Sequence, residues 1–524
     1  MSRGPLSGTD NAWRRMGTLD NLTTITGVLW FDAPMSYEDL CDRLEARLLR
    51  FDRFTQRVGG TRRRLRRPYW ETVEDLDIET HVTHLSLPDP GDEATLKRFV
   101  STLMSRPLDE RRPLWEAYLI DDAGGDGRDA VAFRINHSIG DGFALLYVLF
   151  GLVDDPEDVR MPMGIVPNPP RADAFRNEGA QDEIRNEGAQ DEVRNEGIQD
   201  EVRNEGAQDG RAAAEGGTDG RRDAVAVAED GTDDGQDAPA DPDADAGREA
   251  RRGRGIQKAP IRSLVPSGLL DTARLAGTAV RTGWGLLTQE DEIETSLRGE
   301  LGTVKRAGWT DEIALDRVKA IGRAHDATVN DVLLAALAGA FRRALAGRGE
   351  PVDDRELRVT VPVNLRPMDA RDASLGNYFG LAFVPLPIGT PDLDERIDII
   401  HERMDAQKAG IEAYLMYLTL SLAGHAPDAV MDQLLRQFED QATGVVTNVP
   451  GPMDTVAVAG REVTDVMFWV PQANDQGIGI SIFSYDGSVR LGIAADANLI
   501  PEPAELASAY ERELDQLAEA AESE

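Results

Sequence analysis

A buried strand, a glycine-rich turn and an apolar helix are predicted one after another near residue 140. Val131, Phe133 and Ile135 alternate with other residues, and this period of two is typical of a strand with one buried face. Residues 143–152 are almost all apolar, which is long enough for a buried helix. Glycines flank an acid in the turn, so its backbone can adopt conformations that a Cβ atom would forbid. The residues between the strand and the helix are therefore a strand-to-helix connection.

His137 stands at the entrance to this turn. The pKa of a histidine is ordinarily about 6.5, so an imidazole at this place can accept and return a proton near neutral pH. A structural histidine, hydrogen-bonded at the end of a strand, is the commoner interpretation of a single residue of this kind. The residues that follow it favour the catalytic interpretation.

The residues from His137 to Gly142 have the pattern H-x-x-x-D-G. This pattern resembles the H-H-x-x-x-D-G signature of the CoA-dependent acyltransferase superfamily, in which the second histidine is the catalytic base. His137 matches that second histidine. The chain departs from the signature at the first position, where Asn136 replaces a histidine.

Further short motifs follow in a fixed order and narrow the resemblance to the wax ester synthase/diacylglycerol acyltransferase family. Each motif is weak alone, but their order and spacing together are specific, and the resemblance covers nearly the whole chain except about residues 165–257. The motifs are R-P-L-D at 106–109 with P-L-W at 113–115, V-N-D-V at 329–332, V-P-V-N-L-R at 361–366, G-N-Y-F-G at 376–380, N-V-P-G-P at 448–452 and S-Y-D-G at 484–487.

The resemblance implies an α/β fold of two chloramphenicol-acetyltransferase-like half-domains with mixed sheets and an active site at their interface. We expect an N-terminal half at 1–164 and a C-terminal half at 258–524. The implied reaction moves a fatty acyl group from acyl-CoA to a long-chain alcohol or diacylglycerol. The resemblance implies that His137 is the general base and that acyl-CoA is a substrate, and no cofactor or metal is expected.

Other site residues are expected to support the turn. The motif residues Asn136, Asp141 and Gly142 shape it, and Asp141 is expected to hold it through a salt bridge rather than to touch substrate. Arg366, which ends a predicted strand, is a candidate partner for Asp141 across the two halves. A surface role for Arg366 is an equally good interpretation.

Three residues are candidates for binding substrate or stabilising the oxyanion: Asn330, Asn448 and Ser484. A backbone N–H after His137 is a further candidate for the oxyanion. The family resemblance places Asn330 near the active-site tunnel. The adjacent Asp331 has a purely structural explanation, because with Thr328 it forms a capping-box pattern at the start of an apolar helix.

Composition excludes several other classes of protein. With Cys41 as the single cysteine, neither a disulfide framework nor a multi-cysteine metal site can form, and a reducing cytoplasm is the expected compartment. His81 and His84 lie three residues apart without a further ligand nearby, so a metal site there is not expected. No signal peptide or membrane span is predicted, and at most peripheral contact with a membrane or lipid inclusion is expected. The oligomeric state is left open.

The charge of the chain is strongly negative. There are 94 acidic and 57 basic residues, giving a net charge of -37, and five of the basic residues are lysine. Nucleic acid phosphates would be repelled, so nucleic acid is not an expected partner. An acidic composition with few lysines resembles that of proteins from salt-loving archaea, and it predicts function in concentrated salt.

Residues 165–257 have a different composition from the rest. A nine-residue repeat, R-N-E-G-A-Q-D-E-I in its first copy, begins at Arg176 and has no apolar face. We predict a disordered acidic linker, because such a segment cannot recover the entropy lost on ordering. Apolar residues at 264–286 then predict an amphipathic helix that packs on the core or, less commonly, touches lipid.

Two alternatives to this function remain open. The same fold can use another acyl acceptor, such as an amine, or a carrier-protein thioester as donor, as peptide-forming condensation domains do. Alternatively, the protein is a non-enzymatic lipid-surface protein that has kept the fold, and Asn136 is the sign that its activity has been lost.

Overall fold

The computed structural model describes residues 3–60, 68–161, 292–366, 375–409, 412–427, 430–431, 433–434, 441–472 and 475–523. The predicted linker at 165–257 and the predicted amphipathic helix at 264–286 lie outside the described residues.

The N-terminal half contributes five α-helices and seven strands to the part of the chain described above. They are β1 (Arg3–Pro5), α1 (Gly8–Met16), β2 (Thr24–Phe31), α2 (Tyr37–Arg47), α3 (Asp52–Thr55), β3 (Gln56–Gly59), β4 (Tyr69–Thr72), β5 (Val82–Ser86), α4 (Glu93–Met104), β6 (Trp115–Asp121), β7 (Ala130–Asn136) and α5 (Gly142–Leu152).

The C-terminal half continues with strands and longer helices. They are β8 (Lys305–Trp309), β9 (Ile313–Ala314), α6 (Leu315–Ala324), α7 (Val329–Gly347), β10 (Leu357–Asn364), β11 (Phe379–Leu386), α8 (Leu393–Ala409), α9 (Glu412–Ala423), β12 (Gly444–Pro450), β13 (Ala457–Val458), β14 (Arg461–Trp469), β15 (Ile478–Tyr485), β16 (Ser488–Asp496) and α10 (Pro503–Ser523).

The first large sheet has the strand order β13-β14-β2-β7-β6-β5. Four of these strands come from the N-terminal half, whereas β13 and β14 come from the C-terminal half. β14 pairs antiparallel with β2, placing Val466 opposite Leu29 and Phe468 opposite Gly27. β5 is parallel to β6, so the sheet is mixed. The sheet of the N-terminal half is therefore completed by strands from the far end of the chain.

The second large sheet has the order β11-β10-β12-β15-β16-β8, with β9 also pairing with β16. β12 lies parallel to both β10 and β15, and the other pairs are antiparallel. Strands β15 and β16 form a hairpin joined at Asp486 and Gly487. Both large sheets are mixed, as the sequence predicted. A third, small sheet has the order β1-β4-β3.

The helices pack where their apolar residues predict. The core around α5 includes Leu29 of β2 and Phe483 of β15, so this helix packs against strands of both large sheets. The predicted capping box at the start of α7 is confirmed: Thr328 Oγ1 accepts from Asp331 N, and Asp331 Oδ2 accepts from Thr328 N. Among the described residues, no helix combines the length and the apolar character that crossing a membrane requires.

Candidate active site

An apolar cavity of about 170 Å³ lies between the two large sheets. It is lined by residues of β2, β7 and β14 on the first sheet, by residues of β10, β11, β12 and β15 on the second, and by α5. Its apolar lining includes Ile25, Leu29, Phe133, Leu149, Val449 and Phe468, and its polar lining includes His137, Asp141, Asn364, Thr447 and Asn448. The cavity is therefore a largely apolar chamber with a few polar groups, as is usual for small-molecule binding sites.

His137 lies directly after β7 and is 5% exposed. Its main-chain N–H donates to the carbonyl of Thr23, which precedes β2. Its ring stacks on the indole of Trp13, with ring centroids 4.3 Å apart and planes 16° apart. The backbone bond fixes the main chain at His137, the stacking restricts how the imidazole can rotate, and the ring forms part of the cavity wall.

Asn377 determines which ring nitrogen of His137 carries the proton. The main-chain carbonyl oxygen of His137 can only accept, so the Asn377 atom 2.8 Å away from it is the amide nitrogen, Nδ2. The amide oxygen then faces the ring, 2.8 Å from His137 Nδ1. Nδ1 must donate this bond, which leaves Nε2 of the neutral ring with a free lone pair.

Asp10 holds Asn377 in this orientation. One carboxylate oxygen, Oδ1, accepts from the main-chain N–H of Asn377 at 3.0 Å and from its Nδ2 at 2.9 Å. Asp10 itself is 2% exposed, in the first turn of α1. Burial raises the pKa of Asp10, and its hydrogen bonds with Asn377 oppose that rise. The result is a buried chain of hydrogen bonds from α1 through Asn377 to the imidazole.

Asp141 joins the turn to the second sheet. Its Oδ1 caps α5 by accepting from Ala144 N at 2.8 Å. Its Oδ2 accepts from Tyr378 N at 2.8 Å and from Arg366 Nη2 at 3.0 Å. The Arg366 and Asp141 side chains are 10% and 6% exposed, so the structure favours the buried ion pair across the two halves over a surface role for Arg366.

Asn136, at the position where the signature has a histidine, stabilises the turn. Its Oδ1 accepts from the main-chain N–H of Ser138 at 3.0 Å and from the Ser138 hydroxyl at 2.7 Å. It is absent from the residues that line the cavity. Gly142, the first residue of α5, does line the cavity, and a Cβ atom there would lie 3.6 Å from Val449.

The three other candidates occupy different places. Asn448 lines the cavity, and its Nδ2 donates to Asn330 Oδ1 at 3.1 Å, so two separate motifs meet there. Ser484 is not at the cavity. Its neighbour Phe483 faces the cavity, and successive residues of a strand point to opposite faces, which directs Ser484 away.

Metal ligands do not cluster in this site. Within the described ranges, no group of three or more His, Cys, Asp or Glu side chains is arranged to hold a metal ion. His84 instead pairs with Asp121, at 2.7 Å, and His81 donates from Nδ1 to the carbonyl of Trp115.

Comparison with known proteins identifies the family of this chain. Residues 6–203 match the wax ester synthase/diacylglycerol acyltransferase catalytic domain, and residues 375–518 match the WS/DGAT C-terminal domain. A putative diacylglycerol O-acyltransferase of Mycobacterium tuberculosis is 31% identical over 469 residues, which is 86% of this chain and 83% of that protein. The chain belongs to the wax ester synthase/diacylglycerol acyltransferase family.

Solved structures agree with this WS/DGAT assignment. A wax ester synthase/diacylglycerol acyltransferase from Marinobacter aquaeolei matches with a TM-score of 0.61 at 19% identity, over 99% of this chain and 100% of that one. The first condensation domain of the calcium-dependent antibiotic synthetase matches with a TM-score of 0.55 at 15% identity, over 99% and 96%. The predicted two-half acyltransferase fold is confirmed, and the WS/DGAT protein is an acyltransferase.

Sequence reasoning missed three residues that surround His137. Asp10 and Trp13 lie in α1, and Asn377 lies in the G-N-Y-F-G motif, whose role the sequence did not reveal. The one available signal was the motif itself, because two glycines around polar and aromatic residues suggest a constrained turn. Nothing in the pattern of α1 indicated contact with the active site.

The geometry predicts how catalysis depends on pH. Burial lowers the pKa of His137 below its ordinary value of 6.5, although Asp141 and the Asn377 hydrogen bond act in the opposite direction. A base with a lowered pKa remains neutral at a lower pH. We therefore expect kcat/KM to stay constant as the pH falls to about 6.5 and to decrease only below it, in a pH profile of acyl transfer.

Stability must be measured over the same pH range as a control. Burial lowers the pKa of His81 as well as that of His137. In each case the histidine binds its proton at a higher pH in the unfolded chain than in the folded one. The free energy of unfolding therefore keeps its full value above about pH 6.5 and decreases as the pH falls below that value. Thermal unfolding midpoints separate this loss from protonation of the base. An inflection in kcat/KM above the ordinary histidine pKa would contradict the prediction.

Proposed function

We propose that this WS/DGAT protein transfers a fatty acyl group from acyl-CoA to the hydroxyl of a lipid alcohol, either a long-chain alcohol or diacylglycerol. The observation that carries the proposal is the hydrogen bond between His137 Nδ1 and the Asn377 amide oxygen, from which the tautomer of the ring follows. With Nδ1 donating to Asn377, the Nε2 lone pair is available on a ring that lines an apolar cavity. A proton acceptor of this kind suits a hydroxyl at the end of a lipid.

The proposed reaction needs no covalent enzyme intermediate. His137 Nε2 accepts the hydroxyl proton while the alcohol oxygen bonds to the thioester carbonyl carbon. The carbon–sulfur bond then breaks, and Nε2 returns the proton to the departing CoA thiolate. The products are the ester and free CoA, and acyl-CoA enters as a substrate without any cofactor.

We propose that Asn448 stabilises the oxyanion that forms on the thioester carbonyl oxygen. One N–H of its amide donates to Asn330, which orients the group, and the second N–H remains for a developing negative charge. Asn448 lines the cavity, as His137 does. Asn330 would therefore be a positioning residue, and Asp141 would hold the turn without touching substrate.

Both proposed acceptors partition into lipid, so we also propose that the protein works in the cytoplasm and meets its acceptor at a membrane or lipid inclusion. Exposed apolar side chains support this, since Leu422 of α9 and Val430 are 47% and 48% exposed. Flotation with lipid vesicles would test the contact.

An assay with purified protein tests the reaction itself. Palmitoyl-CoA would be supplied with hexadecanol, with dioleoylglycerol, or with a long-chain amine, and a palmitoyl carrier protein would replace the CoA thioester in a separate arm. We expect ester and free CoA in equal amounts from the CoA thioester and an alcohol. Ester formation only from the carrier protein would favour a carrier-protein thioester as the donor. Amide formation only from the amine would favour an amine as the acceptor. Each arm is run at low and molar salt.

Asn136 provides a further prediction. Its side chain accepts from Ser138 and does not line the cavity, so its role is to orient the turn. A neutral histidine can accept the same bond. We expect Asn136→His to change kcat/KM by less than about tenfold, because general-base effects are larger than this.

Asn136→Leu is the matched variant. A leucine side chain is similar in size to asparagine but has no oxygen to accept the hydrogen bonds from Ser138. We expect it to lower the unfolding midpoint more than Asn136→His does. A wild-type protein that is inactive in every arm, and that gains acyl transfer with Asn136→His, would show instead that the natural asparagine has abolished catalysis.

A further inference from the structure

Asn364 and Thr447 are polar residues of the cavity wall that take no part in the proposed reaction. Asn364 lies on β10 and Thr447 on β12, two strands that are neighbours in the second sheet. The other polar side chains of the wall have proposed roles, since His137 accepts the proton, Asp141 holds the turn and Asn448 stabilises the oxyanion. The two remaining side chains are therefore available for another purpose.

A hydrogen bond to the main chain fixes the orientation of the Asn364 amide. The main-chain N–H of Arg366 can only donate, so the side-chain atom 3.0 Å from it is the oxygen, Oδ1. Nδ2 is left with two N–H groups, and none of the residues that the structure describes accepts from it. The hydroxyl of Thr447, a residue that is 7% exposed, likewise makes no hydrogen bond within the described ranges. Since buried polar groups are ordinarily hydrogen-bonded, both donors suit a ligand that brings acceptor atoms.

Asn364 lies close to the base. It pairs with Phe379 of β11, and the Cβ atoms of residues paired in this way are about 5 Å apart. The ring of Phe379 in turn lies 5.7 Å from that of His137, measured between centroids. Pro362 and Leu381, the next pair that faces the cavity, are apolar. The amide donor is therefore near the place where the hydroxyl of the acceptor must bind, on a wall that is otherwise apolar.

The chemistry of the substrates indicates which of them these donors fit. A fatty acyl chain beyond its thioester carbonyl, or a long-chain alcohol beyond its hydroxyl, is hydrocarbon. Packed against either, the N–H groups of Asn364 would lose water without gaining an acceptor, which is costly. A diacylglycerol carries two ester carbonyl oxygens only a few bonds from its hydroxyl, and each of them can accept a hydrogen bond.

We propose that Asn364 and Thr447 donate hydrogen bonds to the ester carbonyl oxygens of the acyl acceptor, so that the cavity selects diacylglycerol over a plain long-chain alcohol. This inference rests on the proposed acyl transfer and distinguishes between its two acceptors. Neither residue takes part in bond making or breaking. Both determine specificity, because an acceptor without the carbonyl groups leaves the two donors unpaired.

A pair of lipids that differ only in the carbonyl groups tests the proposal. Dioleoylglycerol is compared with the dioleyl ether of glycerol, in which a methylene group replaces each carbonyl, in the same detergent micelles and at saturating palmitoyl-CoA. We expect the kcat/KM of the wild-type protein to be about tenfold or more higher for the ester, since one hydrogen bond is worth up to about tenfold. Asn364→Leu and Thr447→Val should each reduce this ratio by about threefold to tenfold, and the double variant should bring it close to one.

Asn498 provides the matched control. It is exposed, it does not line the cavity, and its Nδ2 donates to the carbonyl of Glu300, so Asn498→Leu should leave the ratio unchanged. Thermal unfolding by circular dichroism reports whether each variant folds. If Asn364→Leu does not fold, Asn364→Asp replaces it. The aspartate keeps an oxygen for the N–H of Arg366 but offers no donor, so the same loss of preference is expected.

The outcomes separate this inference from the proposed reaction. A wild-type protein that does not distinguish the ester from the ether, or an unchanged ratio in the Asn364 and Thr447 variants, overturns the inference and leaves acyl transfer intact. The second result includes variants that slow transfer to both lipids equally, as they would if the donors bound carbonyl groups of acyl-CoA. A wild-type protein that acylates neither lipid nor hexadecanol overturns the reaction, and calorimetric binding of the ester and the ether to each variant then decides the inference.

Discussion

Replacing His137 with alanine is expected to lower kcat/KM for acyl transfer by about 10²–10⁴-fold, the usual contribution of a general base. The expectation rests on the hydrogen-bonded chain from Asp10 through Asn377 to Nδ1, which leaves Nε2 as the acceptor. The rate would be followed as release of free CoA from palmitoyl-CoA in the presence of hexadecanol. Thermal unfolding of the variant would show that the fold is retained.

His81 offers a matched control for this variant. It is 4% exposed and stacks on Trp115 with ring centroids 4.5 Å apart, much as His137 stacks on Trp13, but it does not line the cavity. We expect His81→Ala to lower stability while the folded enzyme keeps its kcat/KM. Undiminished turnover by His137→Ala, or an equal loss in both variants, would rule out His137 as the base.

Asp141→Asn is expected to lower the free energy of unfolding by about 3–5 kcal/mol, because it breaks a buried ion pair while leaving the other charge in place. Asp141 accepts from Ala144 N, Tyr378 N and Arg366, all of which are donors. An amide of the same shape must turn its NH2 group toward at least one of them. Chemical denaturation at fixed salt would measure the loss, and activity should decline with it.

An exposed ion pair supplies the control for this measurement. Arg317 and Asp515 are paired at 2.7 Å, with side chains 41% and 57% exposed. We expect Asp515→Asn to cost less than about 1 kcal/mol, as is usual for pairs at the surface. Equal losses for Asp141→Asn and Asp515→Asn would mean that the buried pair does not hold the two halves together.

Features encoded within a few residues of the chain were predictable. The strand and helix around His137 follow from alternating and continuous apolar residues, and the capping box of α7 follows from Thr328 and Asp331. The pairing of Arg366 with Asp141 was predicted as one of two alternatives, because a strand end can be placed near a turn only when the topology is known.

The contacts of Asn377 with distant parts of the chain were not predictable. Asn377 lies 240 positions from His137 and 367 from Asp10, and no periodic pattern links such positions. An acid after Ser7 in the first turn of a helix has a sufficient local explanation in the helix dipole, so Asp10 gave no sign of its role. The alternation of side chains along β15 argues against Ser484 as a site residue. Phe483 faces the cavity, so the neighbouring Ser484 points away from it.

Because β14 completes the first sheet, the N-terminal half cannot finish folding while the chain is still being synthesised up to β14. A ribosome finishes β7 about 325 residues before it begins β14, an interval on the order of 20–60 s at ordinary rates of translation. Throughout that time the outer edge of β2 has no partner, and its free N–H and C=O groups can pair with another nascent chain. The N-terminal half therefore reaches its native sheet only after nearly the whole protein has been synthesised, and a prematurely terminated chain would be prone to associate with its own copies.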